Sequence, residues 1–261
     1  MLETIRQQTH EIAPLPTGVP SSVRRIDGVR YLVWDLYGTL LISGAGDLSR
    51  SQTKEKTLRA LLGDEKLPSF SLVTHLHNLI AQEHSRARKN GVSFPEVEIR
   101  EIWQHFFTSL QLTCPRDLDN FALRYELANN PVNAMPSARA ALTHKATLGL
   151  ISNAQFYTPL ILEALNLPAP DKALYSYKHR QSKPGSFLFE QFLKDGPPPE
   201  EILYIGNDRL SDIAPAHQAG MRTALFAGDL RSYRPRTDRT DLPTPDAVIT
   251  SLAEIWILLG E

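Results

Sequence analysis

Short apolar segments alternate with amphipathic segments through most of the chain. The segments between the apolar runs carry apolar residues at helical spacing, which predicts helices. Strands that alternate with helices predict an α/β fold, with a Rossmann-like parallel sheet core and helices on both faces. The predicted strands are at residues 30–34, 147–151, 173–177, 202–205, 222–226 and 247–249.

One long stretch breaks this alternation. Between about residues 50 and 129, apolar positions such as Ile99, Trp103 and Phe106 recur at helical spacing, without an intervening strand. The pattern predicts successive amphipathic helices inserted after the first strand. We therefore divide the chain into an N-terminal extension at 1–29, an α/β core at 30–44 and 131–261, and an all-helical insertion at 45–130.

Composition narrows the function classes. The chain has 261 residues, 42% of them hydrophobic, and a formal net charge of −1. This balance supports a buried core and gives no basis for binding nucleic acid or an anionic membrane. Its single cysteine, Cys114, cannot form an internal disulfide, and the first residues lack the pattern of a secretory signal. We expect a cytoplasmic protein that acts on a small molecule; the pattern does not predict an oligomeric state.

A carboxylate directly follows the first predicted strand. Asp35 comes after the apolar run at 31–34, and the turn pair Gly38-Thr39 comes soon after it. Open α/β sheets bind their ligands at the carboxyl ends of the strands. Asp35 could therefore coordinate a cation or attack an electrophile. An Asp that only closes a turn would give the same local pattern.

Two further polar segments fall at predicted strand or helix ends. Ser152 and Asn153 follow the second core strand and could donate hydrogen bonds to an anion, although both residue types are also common helix N-caps. Lys183 precedes a predicted helix. It could neutralise an anion or could be an ordinary solvated lysine.

The fourth segment is acidic. Asp208 and Asp212 lie four positions apart after the strand at 202–205, and Gly206 allows close approach of the backbone. Two carboxylates there suit Mg²⁺, which takes a few carboxylates together with water and phosphate oxygens. The alternative is that Asp208 lies in a turn and Asp212 caps the next helix.

The order of these four segments resembles the haloacid dehalogenase-like (HAD) superfamily of hydrolases. The resemblance spans about residues 30–258, and the helical insertion is similar to the cap domain of that superfamily. It implies that Asp35 is a nucleophile that forms a covalent aspartyl intermediate, and that Ser152 and Lys183 take part in catalysis. It also implies substrate contacts from Tyr37, Thr39, Ser152 and Asn153, and a Mg²⁺ ion held by Asp35, the backbone carbonyl of Tyr37, Asp208 and Asp212.

Tyr37 departs from the phosphatase pattern of that superfamily. Phosphatases usually carry a second Asp two residues after the nucleophile, which protonates the leaving group and activates water. A phenol holds its proton too tightly to act as a base at neutral pH. The segment Asp-x-Tyr-Gly-Thr is instead similar to that of 2-haloacid dehalogenases, which displace halide from carbon without a metal.

Three functions are therefore open at this stage. The acidic pair favours a Mg²⁺-dependent hydrolase of a small phosphorylated metabolite, which is the expectation we place first. Tyr37 favours a metal-independent dehalogenase. Tyr37 is also compatible with a catalytically weak HAD-fold protein that binds a ligand or a partner.

Overall fold

The computed structural model describes residues 1–9, 11–44, 51–63 and 66–261, with only the backbone described at 51–53. Its strands are β1 Tyr31–Trp34, β2 Leu41–Ser43, β3 Val132–Ala134, β4 Thr147–Ser152, β5 Lys172–Tyr175, β6 Ile202–Gly206, β7 Arg222–Phe226 and β8 Ala247–Ile249. Its helices are α1 Leu2–Gln8, α2 Ser51–Leu62, α3 Leu72–Lys89, α4 Ile99–Ser109, α5 Leu118–Asn129, α6 Ala138–Thr143, α7 Thr158–Ala164, α8 Ser176–His179, α9 Phe187–Leu193, α10 Ala214–Gln218 and α11 Ile255–Leu259.

Six strands form one parallel sheet in the order β5-β4-β1-β6-β7-β8. Strand β1 lies between β4 and β6, and Leu32, Val33 and Trp34 are completely buried. A strand covered on both faces needs a continuous apolar run, and this is the pattern that the sequence shows. The predicted α/β class is confirmed, and the predicted strand ends differ from the observed ones by at most two residues.

A small antiparallel ribbon was not predicted. Strand β2 pairs with β3, with Leu41 opposite Ala134 and Ser43 opposite Val132. These three-residue strands lie where the chain leaves the core for the helical block and where it returns. Their partners are about ninety residues apart in sequence, so no local pattern indicates that they pair.

The stretch predicted to be helical contains helices α2 to α5, which pack on one another. Helix α2 contacts α3 and α5, while α4 contacts α3 and α5. The aromatic face of α4 is buried, and the Trp103 ring lies edge-on to that of Phe121, with 5.1 Å between the ring centroids. The assignment of this block as a separate cap domain stays a prediction, and its predicted first residues, 45–50, lie outside the described residues.

The N-terminal extension contacts both the core and the helical block. Helix α1 packs against α5 and α7, and its Ile5 is completely buried. Further along, the Thr17 hydroxyl donates to the Ala227 carbonyl across 2.8 Å, and Ser22 pairs with Val248. In the described part of the chain, no helix is both long enough and apolar enough to cross a membrane.

Candidate active site

Three of the predicted catalytic residues meet at one edge of the sheet. Asp35 follows β1, Ser152 ends β4, and Lys183 lies between α8 and α9. The Lys183 ammonium donates to Asp35 Oδ1 across 2.6 Å, and the Ser152 hydroxyl donates to the same oxygen across 3.1 Å. All three residues are buried. Parallel strands end side by side, which is why residues far apart in sequence converge here.

Lys183 also binds a second buried carboxylate. Its ammonium donates to Asp212 Oδ1 across 2.5 Å and to the Tyr204 hydroxyl across 3.0 Å. Burial works to lower the pKa of Lys183, but the charges of Asp212 and Asp35 outweigh it and the pKa is raised. For Asp212, burial and the charge of Asp35 raise the pKa to about 6. One ammonium is thus shared between two carboxylates.

Gly206 lets Asp212 approach the end of β6. A β-carbon at this position would lie 2.4 Å from the β-carbon of Asp212, closer than two side chains can come. The second oxygen of Asp212 accepts the backbone N–H of Asp208 across 2.9 Å. The close approach and this hydrogen bond hold the Asp212 carboxylate toward Lys183.

Asp208 lies in a different environment from the one predicted. Its carboxylate accepts two hydrogen bonds from Arg236, at 2.6 and 3.1 Å, and one from the backbone N–H of Leu210 at 2.8 Å. Burial works to raise the pKa of Asp208, but the Arg236 and backbone hydrogen bonds lower it overall. None of these contacts involves Asp35, Lys183 or Asp212.

Asn207 is the residue that sequence reasoning missed. Its Oδ1 accepts the Thr39 hydroxyl across 3.2 Å, and its Nδ2 donates to the Ser232 carbonyl across 2.7 Å. A β-carbon on Gly38 would lie 2.8 Å from that amide nitrogen. Neighbouring residues of an extended chain point to opposite sides, so Asn207 faces the turn after Asp35 while Asp208 faces Arg236. The feature of the sequence that could have identified Asn207 is its position directly after strand β6.

The predicted substrate-binding residues Tyr37 and Asn153 have identifiable protein partners. The Tyr37 hydroxyl is 2.9 Å from the Thr158 hydroxyl, and removal from water raises the pKa of the phenol well above its ordinary value. Asn153 accepts the backbone N–H of Lys183 across 2.8 Å and donates to the Lys183 carbonyl across 3.0 Å. Asn153 therefore fixes the backbone that carries Lys183, and Tyr37 is a neutral phenol at physiological pH.

The predicted Mg²⁺ ligands do not form a shared set of free oxygens. Asp208 is bound by Arg236, and Asp212 is bound by Lys183 and by backbone N–H. Among the described residues, no group of three or more His, Cys, Asp or Glu side chains could hold a metal ion. Mg²⁺ requires hard oxygens in octahedral geometry, and positive side chains already neutralise these two carboxylates. The donor set as arranged does not fit the ion, and Mg²⁺ stays a prediction from resemblance.

Tyr37 lines two cavities. Tyr37, Glu96, Asn153, Gln155 and other residues line a space of about 320 Å³, which we call the Tyr37 cavity. A space of about 260 Å³ is lined by Tyr37, Ser43, Asn207, Asp208, Arg231, Ser232 and Arg234. The loop that supplies these arginines is half-buried at 231–236, where the Arg209 backbone N–H donates to the Arg234 carbonyl, and is exposed at 237–241.

The sequence and the architecture were compared with those of known proteins. Residues 181–255 match the sequence model of the HAD-hydrolase-like family. A 2-haloacid dehalogenase from Pseudomonas syringae pv. tomato DC3000 aligns with a TM-score of 0.62 at 20% identity, over 89% of this chain and 98% of that one. The chain has the HAD fold. No curated protein sequence matches it.

Other proteins with the HAD fold align less closely. A HAD phosphatase from Thermococcus onnurineus has a TM-score of 0.52 at 18% identity, over 89% of this chain and 98% of that one. YfnB from Bacillus subtilis, described as a HAD-hydrolase and solved with magnesium, has a TM-score of 0.51 at 19% identity, over 89% and 99% of the two chains. Dehalogenases and phosphatases both share this fold, so the fold alone does not select the reaction.

Proposed function

We propose that this HAD-fold protein is a hydrolase in which Asp35 displaces a good leaving group, such as halide, from carbon without a metal. The observation that carries the proposal is the arrangement of Lys183 and Ser152 on a single oxygen of Asp35. The hydrogen bonds from Lys183 and Ser152 both go to Oδ1 of Asp35. Within the described part of the chain, Oδ2 is therefore the oxygen available for attack. A buried carboxylate oriented in this way suits nucleophilic catalysis.

The reaction balances without an added acid. Oδ2 of Asp35 attacks the carbon and forms an ester bond, while the carbon–halogen bond breaks and the halide leaves with the bonding pair. Water then hydrolyses the ester, which releases the alcohol and a proton and restores Asp35. Asp212, with a pKa of about 6, shares the Lys183 ammonium with Asp35 and could accept this proton.

Phosphoryl transfer fits the same residues less well. A phosphate group approaching Asp35 needs positive charge beyond Lys183, and a leaving alkoxide needs a proton. Arg236 occupies Asp208, and Tyr37 holds its proton too tightly to supply one. A departing halide needs no proton, so a phenol at position 37 does not hinder its release. A structural relative named as a 2-haloacid dehalogenase adds support.

Halide release tests the proposal. The purified protein would be assayed with a panel of halogenated acids and alkyl halides, including 2-chloropropionate, with a chelator or with Mg²⁺. We expect halide release that the chelator does not change and that disappears in Asp35→Asn. The control is Asp27→Asn, because the Asp27 side chain is 91% exposed and its ion pair is with Arg25.

The same panel includes phosphate esters, which keeps the other two functions testable. Phosphate release that requires Mg²⁺, together with no halide release, would establish the phosphatase instead. No turnover of either class by the folded protein would leave a binding protein.

A further inference from the structure

A third cavity adjoins the Tyr37 cavity. It has a volume of about 210 Å³ and lies among helices α2 to α5, and we call it the helical cavity. Its lining includes Lys54, Trp103, Tyr125, Glu126 and Asn129. Four residues line both spaces, so a molecule with one end at Tyr37 could extend into the helical block. The shared residues are Glu126, Asn130, Gln155 and Tyr157.

Glu126 is a carboxylate at the junction of the two cavities. It accepts hydrogen bonds from Asn130, at 3.0 Å, and from the Tyr157 hydroxyl. Within the described part of the chain it forms no ion pair with a lysine or arginine. A carboxylate has about four acceptor positions, so these two donors leave capacity for a further donor. Removal from water disfavours the charged form of Glu126 and so raises its pKa. A cationic ligand beside the carboxylate would offset this cost.

Asn129 provides a second, independent acceptor. It lines the helical cavity and is only 6% exposed. Its Nδ2 donates to the Tyr125 carbonyl across 2.6 Å, which identifies the other amide atom as the oxygen. That Oδ1 is buried and has no hydrogen-bond partner among the described residues. An unpaired buried acceptor is costly, and a ligand that donates hydrogen bonds would remove the cost.

Aromatic rings complete the lining. Trp103 and Tyr157 are buried and Tyr125 is half-buried, and all three line the helical cavity. Aromatic rings attract organic cations, and the attraction increases when water is excluded. A carboxylate, an unpaired carbonyl oxygen and three aromatic rings around one space form a surface that favours a positively charged donor.

We infer that the substrate of this protein carries an ammonium group remote from its reacting carbon, and that this group binds in the helical cavity against Glu126 and Asn129. The inference rests on the proposed function for the placement of the reacting end at Asp35. The ammonium donates to the Glu126 carboxylate and to Asn129 Oδ1, and its alkyl part lies along the aromatic rings toward Tyr37.

Lys54 is the charged group that opposes this inference. It also lines the helical cavity, and its charge acts to lower the pKa of both Glu126 and His77. If the cavity binds a cation, Lys54 repels it, and removal of Lys54 should tighten binding. If the cavity binds an anion, Lys54 is its anchor, and the same removal should weaken binding. The sign of this one effect therefore separates the two possibilities.

Binding of small probes tests the inference without turnover. n-Butylammonium, n-butanol and butanoate have similar length and differ in charge. We expect n-butylammonium to bind the full chain at least about tenfold more tightly than the other two, since a hydrogen bond to a charged group contributes about one such factor. The Trp103 fluorescence reports occupancy, and Trp103→Phe identifies its part of the signal. Equal binding of the three probes, or tighter binding of butanoate, would overturn the inference.

Variants of the lining residues test whether n-butylammonium binds in the helical cavity. Glu126→Gln should weaken n-butylammonium at least about tenfold, Lys54→Met should tighten it, and the exposed control Glu163→Gln should leave it unchanged. If Glu126→Gln does not fold, Lys54→Met still decides, and weaker binding in that variant would contradict the inference.

The two proposals fail separately. Asp35-dependent halide release without selective binding of n-butylammonium would retain the proposed function and reject the ammonium site. Selective binding that depends on Glu126, without turnover of any panel member, would retain the site and reject the reaction.

Discussion

Lys183 and Asp212 form a buried ion pair, with 2.5 Å between the ammonium nitrogen and the carboxylate oxygen. The same ammonium holds Asp35 at 2.6 Å. Removing one member of a buried pair leaves an uncompensated charge, which costs more than the pair itself contributes. Asp35, Lys183 and Asp212 therefore depend on one another for their charge balance.

Loss of the shared cation should destabilise the protein. We expect Lys183→Met to lower the free energy of unfolding by about 3–5 kcal/mol at pH 7, because two buried carboxylates lose their common partner. Urea denaturation measures this. The double variant Lys183→Met/Asp212→Asn should recover part of the loss, because a neutral amide replaces one of the two charges. A double variant no more stable than the single one would show that the lysine stabilises the fold in another way.

Asp212 should make stability depend on pH. Its folded-state pKa of about 6 lies above the value of about 3.9 for an unfolded Asp, so the folded state keeps a proton that the unfolded state has lost. The stabilisation that comes from protonated Asp212 in the folded state is present below pH 4 and is lost as the pH rises through about 6. We expect the unfolding free energy of the wild type, relative to Asp212→Asn, to fall by up to about 3 kcal/mol over this range. A flat difference would mean that Asp212 stays ionised throughout.

The Tyr37 hydroxyl should not take part in proton transfer. Tyr37→Phe removes one hydrogen bond to Thr158, which should cost about 1 kcal/mol of stability. Halide release should change by less than about threefold, because a departing halide needs no proton and a phenol with a raised pKa does not take one from the attacking water. Steady-state kinetics of the two proteins checks this. A loss approaching 10²-fold, the range of general acid–base catalysis, would assign Tyr37 a chemical role.

Conversion to a phosphatase should require two changes. Tyr37→Asp supplies an acid and base, but only Asn207→Asp places a second carboxylate beside the turn after Asp35, since Asp208 faces Arg236. We expect Mg²⁺-dependent hydrolysis of p-nitrophenyl phosphate from the double variant and not from Tyr37→Asp alone. The control adds Asp208→Asn to the double variant and should retain the gained activity. Activity in Tyr37→Asp alone would show that the wild-type oxygens already hold the ion.

The central sheet and the meeting of Asp35 with Ser152 could be predicted because their signals are local. The apolar run before Asp35 and those before Ser152 and Gly206 each end in a polar or glycine residue, and parallel strands bring such ends together. The direction of Asp208 could not be predicted in this way. It depends on Arg236, which lies twenty-eight positions later in a loop, and no local pattern indicates that contact.

The helical and Tyr37 cavities were also beyond sequence reasoning. Glu126 lies on α5, and the spacing of that helix indicates which residues are apolar but not which cavity a carboxylate lines. Tyr157, which donates to Glu126, precedes α7 in the core. The two cavities exist only where these distant segments pack. Their lining therefore follows from the tertiary structure and not from the sequence pattern of any one segment.

Single-turnover labelling tests the central claim, nucleophilic attack by Asp35, most directly. Excess enzyme would react in H₂¹⁸O with a substrate that releases halide, such as 2-chloropropionate, in the presence of a chelator. The first product should carry ordinary oxygen taken from Asp35, and mass spectrometry of the digested protein should find ¹⁸O in the peptide that contains Asp35. Label in the first product, with none in that peptide, would show that water attacks the substrate directly and would contradict the account.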